Sequence, residues 1–216
     1  GDAHYPYEKY FWYFYNPKAF GCPLVEGKDI FLIQGQLTTR SNTKLTFPEY
    51  DRLFNNQELN FHVLFGMDDS SLDWNPKSSS DLSATTYRQL KQSLVNAGYK
   101  SKVWTVKEIT DFFGNIPGSK PSVEELAKKT PRGIVRYRFF FGASTLDEGY
   151  PFHQFLSYSM INSSIMVYAG HSGLGEYLNL DLIASYSKVY KQLQIAANTE
   201  RYQIYFFNSC SSYPYY

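Results

Sequence analysis

The chain is expected to fold as an α/β domain: a mainly parallel sheet flanked by helices in three layers, behind an aromatic N-terminal extension. Three observations carry that expectation. A strand–helix–strand pattern spans residues 59–106. A second pair of apolar strands, around 164–169 and 203–207, is separated by a helix-length segment. At 216 residues the chain also holds one domain, with or without a decorated end, long enough to bury a core.

The elements follow in order. Tyr5 to Leu24 is aromatic and broken by Pro6, Pro17 and Pro23, and the run 10–15 has no clear period. Residues 29–38, with Ile30-Phe31-Leu32-Ile33 and Leu37, read as a strand with turn residues Ser41-Asn42 behind it. These make residues 1–58 an N-terminal extension with strands packed on the core, and 59–216 the core itself. Asn60 to Gly66 is a short apolar run suited to a buried strand, and His62 within it reads as a packed histidine. A polar loop, 68–81, leads into an amphipathic helix over 84–97, where Tyr87, Leu90, Leu94 and Ala97 recur at helical steps and Gly98 stops it. Lys102 to Val106 is the next strand, and a crossover of this length predicts that it lies parallel to 60–66.

From Lys107 to Pro131 the signals are mixed, and Ser122-Val123-Glu124-Glu125 is expected to open a short helix. Gly133 to Gly142 is dense in β-formers, with Arg136 and Arg138 marking one wet face. Phe152 to Ile161 reads as a helix. The strand Ser164 to Ala169 then runs into Gly170-His171-Ser172-Gly173. A helix over 180–197 precedes the strand 203–207, which runs into Asn208-Ser209-Cys210.

Composition narrows the function classes. A formal net charge of +1, with basic residues spread thinly, gives no electrostatic reason to expect nucleic acid as a partner. No apolar run approaches the roughly 18–20 residues of a membrane span. Two cysteines, Cys22 and Cys210, make no disulfide framework, and a bridge between them would consume the candidate nucleophile. The N-terminus has no initiator Met and no basic–apolar–small-residue pattern, so either a targeting segment has been removed or the start has been trimmed; a secreted or periplasmic location is the expectation. Twenty Tyr and seventeen Phe exceed what a core of this size requires. They are expected to form a surface rich in amphipathic rings, the alternative being a Tyr-lined groove for carbohydrate, peptide or cell-wall material.

In open α/β sheets, ligands sit at the carboxyl ends of parallel strands. Two strands here end in a His and a Cys, so both side chains would emerge on one sheet edge. An imidazole beside a thiol removes its proton, and later protonates a leaving amine. His62, His153, His171 and Cys210 show no short zinc-type spacing, so no metal is assigned.

Tyr168-Ala169-Gly170-His171-Ser172-Gly173 after one strand, and Asn208-Ser209-Cys210-Ser211-Ser212 after the next, resemble the caspase–legumain–gingipain–metacaspase group of cysteine peptidases. The separation of 39 positions between His171 and Cys210 is similar to theirs, and the resemblance covers roughly residues 59–210. It implies a cysteine endopeptidase acting on peptide or protein substrates through a thioester, with Cys210 as nucleophile and His171 as general base and acid. The backbone N–H of Cys210, with that of Ser172 or Gly173, would form the oxyanion hole. Asn208 and Ser209 would line the substrate site. Ser172 stands where the family usually has Gly, and neutral Asn208 where some relatives carry an acid, so no preference for basic residues follows. No cofactor is implied, although calcium activates some relatives. The family's fold continues past its cysteine strand, so a C-terminal fragment, separated after Tyr216 by self-processing, is expected to remain bound.

Two other functions compete. Gly170-His171-Ser172 is similar to the start of the α/β-hydrolase elbow, with Ser172 as nucleophile, but Leu174 replaces its last glycine and no histidine follows. The other is a non-catalytic scaffold that binds partners through its aromatic surface.

Overall fold

The computed structural model describes residues 25, 27–29, 34–36, 38, 48–67, 69–114, 121–145, 150–172, 177–178 and 202–209. The chain divides into two units, residues 1–48 and 49–216. In the first, a turn over Val25–Asp29 closes when the Asp29 N–H donates to the Val25 carbonyl at 2.8 Å. Half of the residues in the strand expected over 29–38 lie outside the described residues, and the described ones, 29, 34–36 and 38, are not in a strand; the helix expected over 180–197 lies outside the described residues.

The second unit is built on a six-stranded mixed sheet. Its strands are β1 (Glu58–Met67), β2 (Lys100–Val103), β3 (Ser122–Thr130), β4 (Gly133–Ala143), β5 (Ile165–Ala169) and β6 (Ile204–Asn208). They lie in the order β2-β3-β4-β1-β5-β6. Central β1 runs parallel to β4 from Glu58↔Ile134 to Met67↔Ala143, and parallel to β5 from Phe61↔Ile165 to Phe65↔Ala169. β5 runs parallel to β6, and β3 is antiparallel to both of its neighbours.

The helices α1 (Leu82–Asn96), α2 (Val106–Phe113) and α3 (Tyr150–Asn162) complete the layers. Side chains of a strand alternate between faces, and both faces of the central strands β1 and β4 are largely buried. On one face Val63, Phe65, Phe139 and Phe141 pack with Tyr87 and Leu94 of α1. On the other, Leu64, Phe140, Met166 and Tyr168 pack with Phe113 of α2 and Phe152 and Phe155 of α3. Burial on both sides is why β1 and β4 read as continuous apolar runs rather than as alternating ones.

Several of the aromatic rings are core, while Tyr50, Tyr205 and Phe206 stand exposed. Tyr87, Tyr168 and seven phenylalanines are among the largest fully buried side chains. A Phe65–Tyr87–Phe139 triad meets edge to face, with centroids 5.2–5.3 Å apart.

Local signals set the helix ends. The Asp81 carboxylate accepts from the Ser83 N–H at 2.9 Å and caps α1. At its other end the Gly98 N–H donates to Val95 and the Tyr99 N–H to Leu94, while Gly98 takes a φ of 87°, a left-handed stop.

Two expectations fail between residues 100 and 130. The strand near 102–106 does not lie beside β1: β2 is an edge strand antiparallel to β3, and β1 takes β4 as its parallel partner. β2 ends early because Thr105 and Glu108 form a reciprocal capping box that begins α2. The short helix expected from Ser122 is instead β3. There Glu125 faces Arg138 in the ladder and ion-pairs with both Arg136 and Arg138. The arginines expected on a wet face are thus partly buried and paired. No helix among the described residues is long and apolar enough to cross a membrane.

Candidate functional site

Three parallel strands end in glycine-containing segments at one edge of the sheet: Gly66 in β1, Gly142 in β4 and Gly170 after β5. The first and last let backbones meet. A Cβ on Gly170 would stand 2.7 Å from the Gly66 carbonyl oxygen and 2.8 Å from the Tyr168 hydroxyl. One on Gly66 would stand 2.6 Å from Ser144 Oγ and 2.9 Å from the same hydroxyl. Any side chain at either position displaces this packing.

Tyr168 fills the space the glycines leave. Its ring is fully buried, edge to face with Phe152 at 5.5 Å. Its hydroxyl donates to the His171 carbonyl, and Ser144 Oγ lies in hydrogen-bond contact at 3.3 Å. The loop that carries His171 is thereby tied to the strand that precedes it. Only the residues Gly66, Gly142 and Gly170, repeated at strand ends, signalled this arrangement in the sequence; the roles of Tyr168 and Ser144 depend on contacts far apart along the chain.

His171 itself is exposed, with its ring edge-on to Tyr177 at 6.0 Å. The Tyr177 carbonyl accepts from Nε2 of buried His153 at 3.1 Å, so His153 fastens the chain just after the His171 loop. Ser172 is only 2% exposed.

The neighbouring strand end is set by the ladder. Ala169 of β5 stands level with Asn208 of β6, and the Gly170 N–H donates to the Asn208 carbonyl at 3.3 Å. Asn208 is exposed. Ser209 is half-buried, and its Oγ is buried without a hydrogen-bond partner among the described residues. The structure thus brings His171, Ser172, Asn208 and Ser209 to one sheet edge. Gly173 and Cys210 lie outside the described residues.

The other histidines have separate placements. His62 is fully buried on the α3 face and stacks on Tyr158 with centroids 5.4 Å apart. Arg138 Nη1 donates to His62 Nε2 at 3.2 Å, so the ring proton sits on Nδ1 and is donated to Ser159 Oγ at 2.9 Å. Ser159 passes its own proton to the Phe155 carbonyl at 2.7 Å. This is a directed chain from sheet to helix, and it fixes one neutral tautomer of His62. No group of three or more His, Cys, Asp or Glu side chains among the described residues is placed to hold a metal ion.

In chemical terms, the edge offers an accessible imidazole at His171, held beside close-packed backbone, and an adjacent parallel strand whose sequence continues into a cysteine. No protein-family model, curated protein or solved structure matches this chain.

Proposed function

We propose that the chain is a cysteine peptidase in which His171 and Cys210 act as a dyad. The observation that carries this reading is the parallel register of β5 with β6. Ala169 and Asn208 are level, and His171 and Cys210 each follow by two residues in sequence. Adjacent strands are about 4.8 Å apart, a spacing from which an imidazole can reach a thiol.

The reaction follows from the two groups. His171 takes the thiol proton, and the thiolate attacks the peptide carbonyl carbon. The C–N bond breaks as the imidazolium returns that proton to the leaving amine, which leaves a thioester on Cys210. Water, deprotonated by the same imidazole, then releases the acid. Main-chain N–H groups at Cys210 and at Ser172 or Gly173 are assigned the developing oxyanion. Asn208 and Ser209 belong to the substrate side of the dyad, and neutral Asn208 gives no basis for a basic-residue preference. The burial of Ser172 speaks against its use as an elbow nucleophile, since such a serine stands exposed above its sheet.

Reactivity of the thiol tests the reading. Cys210 is expected to alkylate with iodoacetamide near neutral pH faster than Cys22, by about tenfold or more. His171→Ala should slow Cys210 and leave Cys22 unchanged. Equal rates at the two cysteines, or no effect of His171→Ala, would remove the dyad.

A further inference from the structure

The sheet ends on one side at β2, and half of that strand's backbone is unused. The Trp104 N–H donates to the Val123 carbonyl at 2.9 Å, one position past the ladder that pairs Val103 with Glu124. Bonded and non-bonded positions alternate along an antiparallel pair. Lys100 and Lys102 therefore turn their backbone groups to β3, and Ser101 and Val103 turn theirs outward. All four residues are exposed, and none is a proline. Among the described residues no strand lies beyond β2. Two N–H and two C=O groups are thus open to a further strand.

The side chains around this edge set what can dock on it. Lys100 and Lys102 share one face, level with Ala127 and Glu125 of β3. Past the start of β2, β3 carries Lys128 and Lys129. The carboxylates nearby are already engaged: Glu108 with Lys102, Glu125 with Arg136 and Arg138, and Glu124 with Lys91. Lys128 Nζ donates to the Ala97 carbonyl at 2.6 Å, which leaves its charge uncompensated. Lys100, Lys128 and Lys129 have no carboxylate partner among the described residues, so the edge carries an excess of positive charge. Lysines at an edge turn away unwanted strands, and a second copy of β2 would bring lysines beside lysines. A strand with carboxylates on the lysine side meets attraction instead. On the other face Val103 is 46% exposed and offers an apolar surface to cover.

We propose that β2 is a docking edge for an extended acidic segment of another protein, which adds to the sheet as one more strand. In that segment acidic and β-branched residues alternate. Carboxylates fall beside Lys100 and Lys102, and apolar side chains beside Ser101 and Val103. Main-chain bonds to Ser101 and Val103 supply the pairing, and the alternation of side chains supplies the selection. The proposal stands apart from the thiol chemistry, since none of its residues belongs to the His171 site.

Titration of the full chain with acetyl-Thr-Val-Glu-Val-Glu-Thr-amide, followed by amide NMR, tests it. One control peptide carries lysine for glutamate. Another, acetyl-Thr-Glu-Glu-Val-Val-Thr-amide, keeps the composition and loses the alternation. The alternating acidic peptide should give saturable shifts centred on the Ser101 and Val103 amides, with a Kd at or below about 1 mM in low salt. Binding should weaken as salt is raised, and hydrogen exchange at those two amides should slow. Lys100→Glu should weaken the acidic peptide about threefold or more and strengthen the lysine peptide. Val103→Pro removes an outward N–H without removing a ladder bond, and should weaken binding by a similar factor. If that variant does not fold, Lys100→Glu decides. The proposal is overturned if the acidic peptide does not saturate, or if either control binds as tightly. It is also overturned if Lys100→Glu binds as wild type does, or if the shifts map away from β2. Concentration-dependent shifts at Ser101 and Val103 without peptide would assign the edge to a second copy of the chain, and overturn it as well.

Discussion

Glu124 gives the sharpest test of how this fold is held together. It lies in β3 on the α1 face and is 1% exposed, yet it is a carboxylate. Lys91 Nζ stands 2.6 Å from Oε1, and the hydroxyls of Tyr87 and Ser101 donate to the two oxygens. Burial pushes the carboxyl up, and the hydrogen bonds from Lys91, Ser101 and Tyr87 more than reverse it, leaving the group below its ordinary value. Glu124→Gln keeps the shape but removes the charge and one acceptor oxygen. Breaking a buried pair from one side costs about 3–5 kcal/mol. Lys91 is a quarter exposed, so its ammonium can turn to water and the loss falls to about 2–4 kcal/mol. Lys91→Met should cost at least as much, about 3–5 kcal/mol, because it leaves the buried carboxylate with two hydroxyl donors and no countercharge. The double variant should cost less than the sum of the two. Urea denaturation, read by near-UV signal, measures all three. The sign with pH follows from the lowered carboxyl. Its contribution is present above the unfolded-state value of about 4.3 and is lost as pH falls through the lower folded value. The acid limb should therefore be steeper in wild type than in Glu124→Gln. A loss under about 1 kcal/mol, or identical acid limbs, would refute the claim that this carboxylate is held ionised in the core.

Two further outcomes are expected. Gly133→Ala should destabilise by about 2 kcal/mol or more in the same assay, because a Cβ there would stand 2.0 Å from the Gln57 carbonyl oxygen and the residue holds a φ of 131°. Nitrogen NMR of the imidazoles should show His62 as the Nδ1–H tautomer, and Ser159→Ala, which leaves that N–H without its acceptor, should cost about 1–3 kcal/mol in urea; an Nε2–H ring would contradict the direction of the chain.

The elements whose pattern reports their own burial were legible in the sequence. β1, β4, β5 and β6 announced themselves as apolar runs, and α1 through Tyr87, Leu90 and Leu94 with its stop at Gly98. β3 was not legible, for a physical reason. Its residues Glu124, Glu125, Leu126, Ala127, Lys128 and Lys129 favour helix locally. What makes them a strand is nine paired positions against β4 and the Glu125 pairs with Arg136 and Arg138, and no window of sequence contains both partners. The parallel partner of β1 was misplaced for a related reason: the capping box at Thr105 begins a helix where a strand was expected to continue. At the candidate site, glycines at strand ends were visible, whereas Tyr168 became meaningful only once its hydroxyl was seen on the His171 carbonyl.

The β5–β6 ladder also works as a ruler. A one-residue insertion in either strand would advance everything after it by about 3.3 Å and turn each side chain to the other face. The ladder is pinned at one end by the Ile204 N–H on the Ser164 carbonyl and at the other by the Gly170 N–H on the Asn208 carbonyl. The segment between those two bonds is therefore expected to tolerate changes of residue far better than changes of length. A library of single-residue deletions across 165–169 and 204–208 should lose function almost uniformly, while substitutions at exposed Tyr205 and Phe206 should be permitted.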